Sequence, residues 1–375
     1  MAGKRVYILG AGSSIGHTNR QLPGASNFAR KAEEAWGNDV RFKEFFEFRK
    51  NQVGDKLLNT DVELDIESLF TFLEIEIKGN YSARLLMVRE QLLELIREVL
   101  LAKDKAAEKK GNGEYDHFYG RLDENDAIIT FNWDILLDDV LNREAYLACI
   151  APPQLPFKSH QHYLRFLYKL SGRSYLDLSL VERLNWRELH GGYYLKLHGS
   201  VDWFYCYNPD CRQFNNVYPK SDPKDRIFCD ECREGMSTLI IPPTLNKAYS
   251  EYPFIRRIWN IAADEMKGAE ELVIWGYSLP PTDFHASWLL RRARAAKLRK
   301  LVLINPRVVV HTDGKSRIDV DFVKRFYGMF SDMLEKDSLE LFEYFEDFVA
   351  GANVLKKHNL GSPEEAYHGI EAQPI

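Results

Sequence analysis

The sequence predicts an α/β fold: a Rossmann-like, mostly parallel sheet with helices on both faces, a helical insertion and a small four-cysteine zinc ribbon. Three observations predict it. Short apolar runs rich in β-branched and aromatic residues recur along the chain and read as buried parallel strands. Each such run ends directly in a polar or glycine-bearing motif. Four of the five cysteines fall between positions 206 and 232.

Taken in order, Val6-Tyr7-Ile8-Leu9 is the first strand and runs into Gly10-Ala11-Gly12-Ser13-Ser14. From about 31 to 120 the pattern turns helical. Its clearest helix runs from Ala83 to Leu101, with Leu85, Val88, Leu92, Leu95, Ile96 and Val99 on one face. The charged, glycine-containing stretch after it reads as an exposed loop. This insertion is expected to cover the sheet or meet a neighbouring subunit, and is not required to complete the cleft. The sheet resumes with Ala127-Ile128-Ile129 before Thr130-Phe131-Asn132-Trp133-Asp134. Tyr193-Tyr194-Leu195-Lys196-Leu197 then precedes His198-Gly199-Ser200. Two further strands lead from Leu272–Trp275 into Gly276-Tyr277-Ser278, and from Leu301–Ile304 into Asn305-Pro306. The expected division is a Rossmann-like domain of residues 1–30 and 121–310 with the ribbon (203–235) inserted, a helical insertion (31–120) and a helical C-terminal tail (311–375).

Composition excludes more than it selects. At 375 residues, with 45% hydrophobic and 28% charged residues, the chain matches an ordinary globular protein. A net charge of −5 gives no reason to expect direct nucleic-acid or anionic-membrane binding. No apolar run approaches the ~18 residues of a membrane span, and no secretory leader is evident. A cytoplasmic setting is expected, in which clustered cysteines signify metal rather than disulfides.

In open α/β sheets the ligand lies beyond the carboxyl ends of the strands, so five motifs there point to one cleft for a phosphate- and ribose-bearing ligand. Gly10, Gly12 and Gly16 depart by one residue from the dinucleotide fingerprint, and no acidic residue closes a second strand about twenty positions on. Asn132 and Asp134, two apart at a strand end, can face one cleft with an amide and a carboxylate; Asp134 also suits a helix cap. His198 is the side chain best placed to exchange a proton near neutral pH, although a lone histidine is more often structural. Cys206, Cys211, Cys229 and Cys232 match a closed, structural four-thiolate zinc site, or a ribbon that has lost its metal. Cys149 reads as a small core residue. The basic run Arg291–Lys300 reads as the solvated face of a helix covering the sheet.

The ordered set resembles the sirtuin family over roughly residues 4–307. Gly10-Ala11-Gly12-Ser13 is similar to its GAG[I/V]S, Thr130–Asp134 to its TQNxD, and His198-Gly199 to its catalytic HG. The cysteine pairs follow, then Gly276-Tyr277-Ser278-Leu279 (GTSL) and Ile304-Asn305 (IN). The family's GIPDFR is replaced by Gly24-Ala25-Ser26-Asn27-Phe28-Ala29 with Arg30 one place late. Its FGE is absent, with Ile240–Lys247 in its place. These departures resemble the sirtuin-like branch of prokaryotic anti-phage defence. The resemblance implies hydrolysis of NAD to nicotinamide and ADP-ribose, a homo-oligomer and a separate partner ATPase. It assigns His198 as base, Asn132 to water or ribose and Asp134 to a ribose hydroxyl. Gly10, Ala11, Gly12, Ser13, Thr130, Gly276, Ser278 and Asn305 would bind the nucleotide, with Gly10, Gly12 and Ser13 at the pyrophosphate and Ser278 and Asn305 at the adenosine side. A protein deacylase and a non-catalytic NAD or ADP-ribose sensor are the alternatives.

Overall fold

The computed structural model describes residues 3–53, 65–107, 113–123, 126–141, 193–214, 217–219, 227–241, 252–280, 283–295, 298–312, 315–335 and 338–357. Cys149 and residues 242–247 lie outside this set.

Six parallel strands build the central sheet: β1 (Arg5–Leu9), β2 (Ala127–Thr130), β3 (Tyr194–Lys196), β7 (Glu271–Trp275), β8 (Lys300–Ile304) and β11 (Leu339–Phe342). Their spatial order is β11-β8-β7-β1-β2-β3. The chain thus winds outward from β1 in both directions, and the order reverses between β1 and β7, where doubly wound sheets open their ligand crevice. Pairing is in register from Arg5 opposite Glu271 to Leu9 opposite Trp275. Alternation sends successive side chains into two cores. Val6 and Ile8 join one with the helices Pro253–Lys267 and Val320–Tyr327, while Tyr7 and Leu9 join the other with Tyr115, Phe118 and Phe345. Both faces are covered, which is why Val6–Leu9, Ala127–Ile129, Leu272–Trp275 and Leu301–Ile304 are unbroken apolar runs.

Between β1 and β2 the described residues carry only helices: α1 (Ala11–His17), α2 (Phe28–Trp36), α3 (Lys43–Phe48), α4 (Ile66–Gly79), α5 (Ala83–Ala107) and α6 (Glu114–Tyr119), with short 3₁₀ and π turns. Val88, Leu92, Leu95, Ile96 and Val99 of α5 are buried in a third core with Phe42, Phe45 and Phe70. Val201 and Ile240 enter that core from a smaller sheet of β4 (Gly199–Tyr205), β5 (Val217–Pro219) and β6 (Ser237–Ile240), ordered β5-β4-β6.

The C-terminal part corrects the reading of a helical tail. Val309–Thr312 and Lys315–Ile318 form an antiparallel hairpin, β9–β10, and β11 is the sixth strand of the main sheet. Leu339-Glu340-Leu341-Phe342 is four residues long with a charge inside it, too short for periodicity to mark. At the sheet edge Glu340 reaches solvent and pairs with Lys300 at 2.9 Å. The basic run is not the face of a helix as expected: Arg291 ends the helix Phe284–Arg291, Arg292–Ala295 form a 3₁₀ turn and Lys300 opens β8. Within it Ala293 is buried, the Arg292 guanidinium lies 5.5 Å from the Trp288 ring centroid, and Arg294 pairs with Asp332 at 2.6 Å. Among the described residues no helix is long and apolar enough to cross a membrane.

Candidate active site and metal centre

The motifs predicted to follow β1, β2, β3, β7 and β8 all stand at the carboxyl ends of those strands. A cavity of about 210 Å³ opens there, with Gly10, Ala11, Asn132, Asp134, His198, Gly276 and Ser278 in its wall. Of the predicted nucleotide-binding residues, Gly12, Ser13, Thr130 and Asn305 are not among its lining. Thr130 accepts from the Asn132 N–H at 3.1 Å. Asn305 caps the turn after β8 through Arg307 N–H at 3.0 Å and reaches the Tyr277 carbonyl at 3.4 Å.

Gly12 serves a close backbone approach. Its N–H donates to the Gly276 carbonyl at 2.9 Å, and a Cβ on Gly12 would lie 2.7 Å from the Gly276 Cα. Gly276 has φ +67°, and a Cβ there would meet the Ser13 nitrogen at 2.1 Å. The loops after β1 and β7 are therefore pressed together at the switch point, which only paired glycines permit.

The polar wall is a continuous hydrogen-bond network. Asn132 Nδ2 donates to the Gly10 carbonyl (3.0 Å) and to Ser14 Oγ (2.9 Å), and Ser14 donates to Asp134 Oδ2 at 2.7 Å. Asp134 Oδ1 accepts from Leu136 N–H at 3.2 Å, so the carboxylate both caps the helical residues 136–141 and faces the site. Behind it, Lys196 donates to the Asp134 backbone carbonyl at 2.5 Å and to Asp138 Oδ2 at 2.9 Å, and the Tyr194 hydroxyl donates to the same carboxylate at 2.9 Å. From α6, the Tyr115 hydroxyl lies 2.8 Å from Ser13 Oγ and 2.9 Å from Ser14 Oγ. Burial raises the Asp134 pKa, against the pull of Lys196 and the Ser14 hydroxyl. Burial also works to lower the Lys196 pKa, but the carboxylates of Asp138, Asp202 and Asp134 outweigh it.

His198 sits at the end of β3, its ring 5.0 Å from Phe131 and 6.4 Å from Trp259 between centroids. Trp259 is held by its indole N–H on the Leu197 carbonyl at 3.1 Å. Gly199 follows with φ +78°, and a Cβ there would lie 2.0 Å from the Leu239 carbonyl oxygen. The glycine after the histidine is thus required for β4 to meet β6.

Three features of the wall escaped the sequence. Ser14, not Ser13, faces the cavity; Ser13 turns back onto the Gly10 carbonyl at 2.8 Å. Two adjacent serines carry no local signal of which one faces out. Lys196 reads as a strand residue, and its burial among acids depends on positions about sixty residues away. The insertion, expected not to be required for the cleft, supplies apolar wall through Ile66 of α4 and Ile96 and Leu100 of α5, joined by Phe28 at the start of α2. Arg30 points outward and pairs with Glu34 at 2.7 Å.

The four cysteines meet on the small sheet. Their sulfurs all lie within 4.8 Å of one another, with Cys206–Cys232 and Cys211–Cys229 each separated by 3.7 Å. Tetrahedral zinc with ~2.3 Å bonds to sulfur needs ligand separations of ~3.8 Å, so the quartet fits the ion. Four thiolates leave no coordination position for water or substrate, and the centre lies apart from the cavity lining.

No family model and no curated protein sequence matches the chain. Among solved structures, the chain is similar to a Sir2 homologue in complex with NAD, at 13% identity and TM-score 0.38, covering 87% of this chain and 86% of the other. It is similar also to a mutant Sir2 homologue with 2′-O-acetyl-ADP-ribose, at 12% identity and TM-score 0.42, covering 96% and 94%. A third, Sir2 with the inhibitor EX-527, 2′-O-acetyl-ADP-ribose and a deacetylated p53 peptide, gives 14% and 0.34, covering 95% and 94%.

Proposed function

We propose that this chain hydrolyses NAD at the nicotinamide–ribose bond, releasing nicotinamide and ADP-ribose. The observation that carries the reading is a cavity at the carboxyl end of the sheet that joins Ser14, Asn132, Asp134 and His198, polar on one wall and apolar on the other. Breaking this glycosidic bond builds positive charge on the ribose while nicotinamide leaves neutral. The site must hold the sugar, exclude competing nucleophiles and orient a water. The polar wall suits the hydroxylated ribose and the apolar wall an uncharged ring. His198 takes a proton from a ribose hydroxyl or water. Asn132 orients that group, and Asp134 stabilises the developing positive charge from a buried position. Gly10, Ala11, Gly276 and Ser278 bound the remainder of the nucleotide. Zinc on Cys206, Cys211, Cys229 and Cys232 would hold the ribbon and take no part in the chemistry.

A role in anti-phage defence, a homo-oligomer and a separate ATPase partner follow from the sequence resemblance and belong to this proposal as context. The deciding experiment incubates the purified chain with NAD, with and without an acyl-lysine peptide, and identifies products by mass. Nicotinamide and ADP-ribose without peptide support the reading. Turnover only with peptide, giving O-acyl-ADP-ribose, replaces it with a deacylase; NAD binding without turnover replaces it with a sensor.

A further inference from the structure

We propose that Lys196 is a positioning residue: its buried ammonium clamps the Asp134 loop to β3 and keeps the Asn132 carbonyl oxygen turned toward the cavity. The inference rests on the reading of this cavity as an NAD-cleaving site.

Lys196 is 1% exposed and lies two residues before His198. Its bonds to the Asp134 carbonyl and the Asp138 carboxylate tie the end of β3, which carries His198, to the loop after β2, which carries Asn132. A flexible four-carbon stem with a compact charge suits this span, where an apolar side chain would leave Asp138 buried and uncompensated.

The direction of the donors does the rest. The Gly10 carbonyl only accepts, so the Asn132 atom 3.0 Å from it is the amide nitrogen. Rotating the amide would set two carbonyl oxygens against each other. With the nitrogen held by Gly10 and Ser14, the carbonyl oxygen is the atom that Asn132 offers to the cavity, an acceptor for a hydroxyl or a water. Ser14 accepts from that amide because its own hydrogen is committed to Asp134. Both oxygens of Asp134 accept, from Ser14 and from Leu136 N–H, which is the pattern of a carboxylate. A proton on Asp134 would reverse the Ser14 bond, turn that hydroxyl's hydrogen toward the Tyr115 oxygen 2.9 Å away and take the negative charge out of the site. The charged and titratable groups facing Asp134 are Lys196 and Tyr194 from β3, Asp138 from residues 136–141 and Tyr115 from α6; Asp202 of β4 acts on Lys196. Lys196 favours the anion and Asp138 opposes it.

Opposite effects of two substitutions follow. In the full-length protein, Lys196→Met should lower kcat about 10- to 100-fold, the scale of one charged hydrogen bond, while the Kd for ADP-ribose changes by less than about threefold. Its acid limb of activity should move to higher pH. Asp138→Asn keeps an acceptor for Lys196 and for the Tyr194 hydroxyl, and its new N–H₂ falls where Asp138 Oδ1 has no partner among the described residues. Removing that negative charge should move the acid limb to lower pH. A merely structural role would move neither limb, or both in one direction, and either result overturns the proposal. If Lys196→Met fails to fold, the downward shift in Asp138→Asn decides alone. Should the wild type bind ADP-ribose without cleaving NAD, the function fails and the clamp is read from the pH dependence of ADP-ribose binding in the same variants. A wild type that neither binds nor cleaves overturns both.

Discussion

The molecule holds two polar clusters built on opposite principles. The cysteine quartet draws its four side chains from 27 consecutive positions, 206 to 232, and turns every sulfur toward one point. The cluster at the strand ends draws Ser14, Tyr115, Asn132, Asp134, Asp138 and Lys196 from positions 14 to 196 and leaves one side open to a cavity. A closed set of ligands stores stability, because each thiolate is spent on the shared centre. An open network keeps acceptors in reserve for something that enters. The comparison predicts that damage to one cluster costs folding and damage to the other costs chemistry.

The largest expected effect falls on the open cluster. Asn132→Ala and His198→Ala should each lower NAD turnover by ~100-fold or more, the usual scale for a positioned acid–base group, with little change in melting temperature. Turnover within threefold of wild type in both folded variants would remove these residues from the chemistry. Cys229→Ser is the mirror test. It should release the ion and lower the melting temperature by several degrees or prevent folding, while any folded fraction retains its turnover per molecule. Elemental analysis should find about one zinc per wild-type chain. A variant that keeps its stability and loses its turnover would reverse the comparison.

A subtler test lies within one dipeptide. Ser14→Ala removes the link between Asn132 and Asp134 and should cost about tenfold in turnover, the scale of one hydrogen bond to a charged group. Ser13→Ala removes a bond to the Gly10 carbonyl on the buried side and should cost less. Equal losses would show that the network does not discriminate between them.

The smallest effect is expected at the margin. Glu114 precedes Tyr115 on α6, and burial, then the nearby charge of Glu346 and a hydrogen bond to it, raise its pKa from 4.5 to about 7. The folded state therefore holds this proton to higher pH than the unfolded chain does. Its contribution to stability is complete below about pH 4.5 and is lost as the pH rises through about 7. Melting temperature should fall between about pH 5 and pH 8, and Glu114→Gln should flatten that slope. An unchanged slope would show that Glu114 does not titrate in this range.

Legibility followed the distance over which a residue's role is decided. The strand ends were readable because an apolar run and the polar motif after it are contiguous, and a parallel sheet places every such end on one edge. The cysteine quartet was readable because two paired spacings lie within one short segment. The sequence by itself therefore determined the α/β class, the sheet edge at which the motifs gather and the four cysteines that converge. Only the tertiary structure decided which of two adjacent serines faces the cavity, that Lys196 sits among three buried acids, and that α4 and α5 form the apolar wall. It also decided that Leu339–Phe342 extends the sheet, and that Gly12 meets Gly276 rather than lining the cavity. Each of these depends on a partner tens to hundreds of positions away, and burial, charge pairing and close backbone approach exist only once that partner has arrived.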